Sequence, residues 1–180
     1  MRKVLMNAAL GLMFLSQVCV AQSVATQTQT MNAGFNAMGS IVSVPGTVTL
    51  TTGGPDFQSY NGSLSVTYRA RTTSAGGGNL TVQGTSDFSL TTGPRISAGA
   101  LTYTCSGATL GSGCSGQQTM SMSSATNIVA LPSSACTGGS PCPMNTPDPN
   151  QVTLGLSLTN DPAYPTGTYS AAILFTISAT

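Results

Sequence analysis

Leu64, Val66, Tyr68 and Ala70 fall on alternate positions of the chain, with Ser65, Thr67, Arg69 and Arg71 between them. A two-residue period puts one set on each face of a strand, so the pattern predicts a buried apolar face and two arginines turned to water. Val152, Leu154, Leu156 and Leu158 repeat it against Thr153, Gly155, Ser157 and Thr159. Tyr169, Ala171, Ile173, Phe175 and Ile177 carry it close to the last residue. Between these long runs lie shorter ones: Leu80 with Val82, Phe88 with Leu90, Leu101 with Tyr103, Met120 with Met122, and Ile128 to Leu131. Gly-Gly, Gly-Pro and Ser-Gly breaks separate them. Several short strands with turn chemistry about every 8 to 12 residues predict an all-β fold, an Ig-like sandwich of two antiparallel sheets.

The chain ahead of these strands reads differently. Arg2 and Lys3 precede an apolar run from Val4 through Leu15, broken only by Asn7 and Gly11. The run is shorter than the roughly 20 apolar residues of a spanning helix, and Cys19-Val20-Ala21 supplies a small-x-small cleavage pattern. Residues 1–21 are therefore expected to be a cleaved secretory signal, which places the mature chain in the periplasm, at the cell surface or outside the cell. A lipid anchor on Cys19 would call for a Leu-x-small approach, and Ser16-Gln17-Val18 does not provide it. Residues 22–40 are polar and lack a helical period, so an extended or flexible arm is expected ahead of a single domain over 41–180. Met31, Ala33, Phe35, Ala37, Gly39 and Ile41 nonetheless alternate with Asn32, Gly34, Asn36, Met38 and Ser40, the period of a strand with one face to bury.

Composition narrows the exterior. Only 5% of the residues are charged, against about 25% in an ordinary soluble domain, so hydroxyls and amides have to face the water. Threonine suits a pleated surface, whereas a polar helix face is normally built from Glu, Lys, Arg or Gln. Once Arg2 and Lys3 leave with the signal, Arg69, Arg71 and Arg95 stand against Asp56, Asp87, Asp148 and Asp161, a net charge of 3 − 4 = −1. Without a basic cluster, neither nucleic acid nor an anionic membrane surface is an expected partner. Cys105, Cys114, Cys136 and Cys142 remain in an oxidising compartment. Three pairings are open; locality favours Cys105 with Cys114 and Cys136 with Cys142, each closing a Gly- and Ser-rich loop. Zinc would want histidines or close Cys-x-x-Cys pairs, and the chain has neither.

The inventory also argues against catalysis. Histidine is absent, as are glutamate and, after cleavage, lysine, so general acid–base work near neutral pH has few candidates. Asp148 and Asp161 flank the strand expected over 151–159, which at about 3.3 Å per residue holds them on the order of 30 Å apart. That is too far for a paired-carboxylate hydrolase or one calcium site, and both suit Asx turns before Pro149 and Pro162. Gly76-Gly77-Gly78 and the loop from Gly107 to Gly113 lack the Gly-Lys-Ser/Thr ending of a phosphate cradle. Asn61 and Asn79 begin Asn-x-Ser/Thr sequons, relevant only in a glycosylating host. No enzyme and no cofactor is expected.

The last residues carry a resemblance. Gly167, fourteenth from the end, precedes the alternation of Tyr169, Ala171, Ile173, Phe175 and Ile177. This resembles chaperone–usher pilus subunits and the related spore-coat-U-like secreted domains, although Ala179 stands where many pilins have a penultimate tyrosine. The resemblance implies an incomplete Ig-like sandwich that lacks a strand, with an arm of the next subunit taking the vacant place. Met31, Phe35 and Ile41 would then mark the donated strand, and Gly167, Tyr169, Ile173, Phe175 and Ile177 the groove that receives it. The implied function is a structural or adhesive cell-surface subunit whose partner is a copy of itself or another surface protein. The alternative is a self-sufficient extracellular Ig-like binding module.

Overall fold

The computed structural model describes residues 30–139, 142 and 146–180. The expected signal over 1–21, with Cys19, and residues 22–29 of the expected arm lie outside the described residues. The chain divides after Gly34, and the strands all belong to the unit from Phe35 to Thr180.

Ten strands follow in order: β1 (Met38–Ser43), β2 (Thr51–Thr52), β3 (Tyr60–Arg71), β4 (Gly78–Ser86), β5 (Leu101–Ser106), β6 (Ser112–Gly113), β7 (Gln118–Thr119), β8 (Thr126–Leu131), β9 (Asn150–Leu158) and β10 (Ala172–Ala179). They form two antiparallel sheets. One runs β1-β3-β9-β5-β7, with β2 also on β3; the other runs β10-β4-β8-β6. The result is the all-β sandwich with two disulfides that the alternation and cysteine spacing predict.

The register shows why β3 and β9 are its backbone. Leu64 lies opposite Leu154 and Val66 opposite Val152, so the apolar face of each strand meets the same face of its neighbour. Leu64, Val66, Tyr68 and Ala70 from β3 pack with Leu80 and Val82 from β4, Leu101 and Tyr103 from β5, and Ile128 and Val129 from β8. Fully burying each aliphatic side chain contributes about 1.5–3 kcal/mol. Tyr68 can sit in this interior because its hydroxyl donates to the Leu110 carbonyl at 2.5 Å, and Tyr103 donates to Thr126 Oγ1 at 2.7 Å. Burial pushes the Tyr68 phenol up to about 12. Asn150, also buried, donates to Thr137 Oγ1 at 2.9 Å and accepts from Thr109 Oγ1 at 3.1 Å.

Three expectations need correction. Phe88 and Leu90 belong to no strand, because Asp87 gathers the chain around itself. Its carboxylate accepts from the Phe88 N–H at 3.2 Å, the Ile96 N–H at 2.5 Å and Ser97 Oγ at 2.5 Å, and pairs with Arg95 at 3.1 Å. Met120 and Met122 follow the two-residue β7 rather than forming a strand, Met120 serving as buried packing against the core. The first strand opens at Met38, three residues ahead of the expected boundary at 41, since Met38 pairs with Arg71.

β3 defines two poles. At the upper pole β3 ends and β1 begins, β4 begins, and β10 ends; Thr73 N–H donates to the Thr180 carbonyl at 3.0 Å and Thr180 N–H to Gly77 at 2.7 Å. At the lower pole β3 and β10 begin, and β4 and β9 end.

Candidate functional site

A two-sheet sandwich has four outer edges, and here they are unequal. β6 and β7, on one side, are two residues long and offer little ladder to a stranger. β1 and β10, on the other, are six and eight residues long. They border the same opening: a Cβ built on Gly39 of β1 would stand 2.9 Å from Ile177 Cγ1 of β10. The sheets thus approach each other at the upper pole, where a Cβ on Gly39 would crowd the Ile177 side chain. Below it β1 is bulged between Ile41 and Ser43, and residues 44–50 continue without a ladder until β2.

The side chains along this opening are apolar and incompletely covered. Ile173, Phe175 and Ile177 point inward from β10, and Ile41, Val44, Val48 and Leu50 lie along or after β1, all partly buried against the core. The deeper neighbours Val66, Leu80 and Val82 are fully buried. β10 pairs on one side only, with β4. Its outer backbone donors and acceptors therefore face away from the described strands.

The expected groove residues separate into two groups. Ile173, Phe175 and Ile177 lie together on the inward face of β10, as the alternation requires. Tyr169 and Gly167 do not extend that strand, because β10 starts at Ala172 with a bulge before Ile173. Tyr169 instead bends back in the preceding loop, its hydroxyl donating to the Pro165 carbonyl and its ring covering Gly93, where a Cβ would collide with it. Gly167 is exposed near Leu90.

The expected donor segment from Met31 to Ile41 also divides. Ile41 pairs with Tyr68 in the β1–β3 ladder and belongs to its own domain. Met31 is 91% and Phe35 78% exposed, large apolar side chains outside any described strand. Phe35 is not idle: the Arg71 guanidinium lies over its ring at 5.2 Å, and Arg71 Nε donates to the Asn36 carbonyl at 2.9 Å. Arg71 is thus half-buried, whereas its neighbour Arg69 faces water and pairs with Asp148 at 2.5 Å. Asp148 is an ion-pair partner rather than an Asx-turn acceptor; Asp161 is the acceptor, taking the Ala163 N–H at 2.8 Å.

Sequence reasoning passed over one feature. In the turn between β2 and β3, Asp56 and Phe57 sit at φ +64° and +56°, consecutive left-handed residues of which neither is glycine. Aspartate tolerates that region; for phenylalanine it is an outlier. Phe57 is 60% exposed. Gly53-Gly54-Pro55 reads from sequence as an ordinary turn, and nothing in it signals a presented aromatic ring.

Disulfides join Cys105 to Cys114 and Cys136 to Cys142, the local pairing. The first ties the end of β5 to the residue after β6, one bridge between the two sheets. The second closes a loop against the end of β3, where Arg71 bridges to Cys136. Asn61 and Asn79 are exposed on β3 and β4. No helix among the described residues is long and apolar enough to cross a membrane. No family model, curated protein or solved structure matches the chain.

Proposed function

We propose that this chain is an exported, non-catalytic structural or adhesive cell-surface subunit that joins copies of itself by strand exchange. The arm ahead of β1 in one copy lies along the free edge of β10 in the next. One observation carries the reading: the long, uncharged, one-sided β10 with Ile173, Phe175 and Ile177 only partly covered. An added strand supplies backbone hydrogen bonds to such an edge and side chains to the pockets between alternate residues. Met31, Ala33, Phe35 and Ala37 carry the matching two-residue period.

Topology favours a neighbour's arm over the chain's own. Every strand pair in both sheets is antiparallel. An arm laid antiparallel to β10 would finish at the lower pole, yet residue 37 is bonded to Met38 at the upper one. Eight residues of β10 separate the two by about 25 Å, so the arm that fits must come from another molecule.

A second reading, a self-sufficient Ig-like module, is favoured by the dry centre of the sandwich, where Val66, Tyr68, Leu80 and Val82 are fully buried without an added strand. Size-exclusion chromatography of the mature chain, alone and with excess peptide covering residues 22–37, decides between them. Strand exchange gives concentration-dependent oligomers that the peptide caps into smaller species. A stable monomer that ignores the peptide refutes it and leaves the module.

A further inference from the structure

Resting on that strand-exchange reading, we infer a second contact between joined copies: the upper pole of the donor, at Arg71, receives the Asp56–Phe57 tip of the acceptor. Direction comes first. An arm antiparallel to β10 leaves its acceptor at the lower pole, and Met38 of the donor follows at once. The donor's upper pole therefore stands against the acceptor's lower pole, the pole of the turn between β2 and β3.

The charges of the two poles are complementary. All four aspartates of the chain are among the described residues. Asp148 pairs with Arg69 and Asp87 with Arg95, while Asp56, Asp161 and Arg71 hold no ion pair among the described residues. The unmatched cation is at the upper pole. Asp56 is at the lower pole, and Asp161 is beside it, since Asn160 Nδ2 donates to the Gln58 carbonyl of the same turn at 3.2 Å. Within one molecule the twelve residues of β3 hold Arg71 and Asp56 about 40 Å apart. They can meet only across two copies.

Shape agrees with charge. Beside Arg71 a depression of about 680 Å³ is lined by Met38, Ala70 and the Cys136–Cys142 bridge, an apolar floor at a cationic rim. Phe57 is the more exposed of two exposed aromatics at the opposite pole, 60% against 37% for Tyr60, and is presented beside Asp56 by two left-handed residues. In the free chain Phe35 covers the Arg71 guanidinium at 5.2 Å. Once Phe35 enters a neighbour's groove that face is bare, and Phe57 offers it another ring. Such a head-to-tail contact joins two different surfaces, so each copy can bind a further one, giving a ring or an open line of subunits.

The test uses the full mature chain and two readouts, the association constant from sedimentation and the binding of the 22–37 peptide. Phe57→Ser should weaken association on the order of tenfold or more, the worth of a buried aromatic side chain. Asp56→Asn should weaken it a few-fold in the wild-type background; Arg71→Gln also frees Phe35 from its stack, so the diagnostic comparison is that adding Asp56→Asn to Arg71→Gln causes no further loss, as for two groups that meet. Peptide binding should be unchanged in all of them. Wild-type association of Phe57→Ser, additive loss in the double variant, or peptide binding that falls in step with association overturns the pole contact. A peptide that binds nowhere removes strand exchange itself, and the contact falls with it.

Discussion

In the proposed strand exchange, replacing Phe35 by alanine removes the largest apolar side chain of the arm, and its exposure and contacts set the size of the expected effect. In the free chain the ring is 78% exposed. A phenylalanine buries about 150–250 Å², so covering that fraction in a groove removes on the order of 150 Å² from water, about 4 kcal/mol at 25 cal/mol per Å². Area bookkeeping is an upper bound, and transfer of a whole side chain gives about 1.5–3 kcal/mol. Against this stands the stack on Arg71 that the ring must leave, worth about 0.5–1 kcal/mol at an exposed site. The net is about 2 kcal/mol, or roughly 30-fold in the association constant.

Phe35→Ala should therefore shift the sedimentation isotherm of the mature chain by roughly 30-fold in concentration. Phe35→Asp should abolish assembly, because a carboxylate would have to be desolvated without a partner. Thermal stability should change little in either, since the residue lies outside the ladder and packs on nothing buried. Ile173→Asp is the contrasting variant: it faces the core margin from β10, so it should lower stability as well as assembly. Wild-type assembly by Phe35→Ala would refute the reasoning, as would a melting loss equal to that of Ile173→Asp.

Two further outcomes follow from buried or gathered polar groups. Tyr68→Phe leaves the Leu110 carbonyl without its donor and should cost about 1–3 kcal/mol by urea denaturation. Since the folded phenol is pushed up to about 12 while an unfolded tyrosine titrates near 10, its stabilisation is full below the lower value and lost as pH rises through the higher; the variant should lack that part of the alkaline loss. Burial alone would raise the Asp87 carboxyl, but hydrogen bonds from Ser97, Ile96 and Phe88 and the charge of Arg95 hold it below the usual range. Its contribution is therefore present above the unfolded value and lost as pH falls through the folded one, and Asp87→Asn should flatten the acid limb of stability measured by denaturant melts from neutral to acid pH.

The strands legible in the sequence were those whose partners share their period. β9 along its length and β3 from Leu64 onward each have one buried and one more exposed face, so alternation reports them directly. β10 is legible for the same reason from Ala172 onward, but the alternation fails at Tyr169, ahead of the strand, where a hydroxyl-to-carbonyl bond to Pro165 turns the side chain out of phase. Phe88 and Leu90 alternate too, but Asp87 supplies the hydrogen-bond acceptors that a strand neighbour would otherwise provide. Pattern cannot weigh that competition. The apolar residues of the candidate groove were likewise visible, yet their incomplete cover was not, because an edge is a property of sheet order. Only the ladder from Met38 to Arg71 shows where the arm ends and the domain begins.

Sheet order also gives the absence of charge on β10 its meaning. Exposed edges are a template for unwanted pairing, and proteins guard them with lysine, proline, bulges or brevity. β6 and β7 are guarded by brevity, and β1 by its bulge. β10, Ala-Ile-Leu-Phe-Thr-Ile-Ser-Ala, has neither charge nor proline, and its one bulge sits at the extreme lower end. Leu174 on its outer face is 52% exposed, a position where lysine would protect the edge without touching the core. An eight-residue apolar edge left so open, in a chain with few charges to keep copies apart, is a hazard if it stays bare. Occupation by a defined strand removes that hazard, and the arm carrying Met31 and Phe35 has the period and the exposed apolar side chains to occupy it.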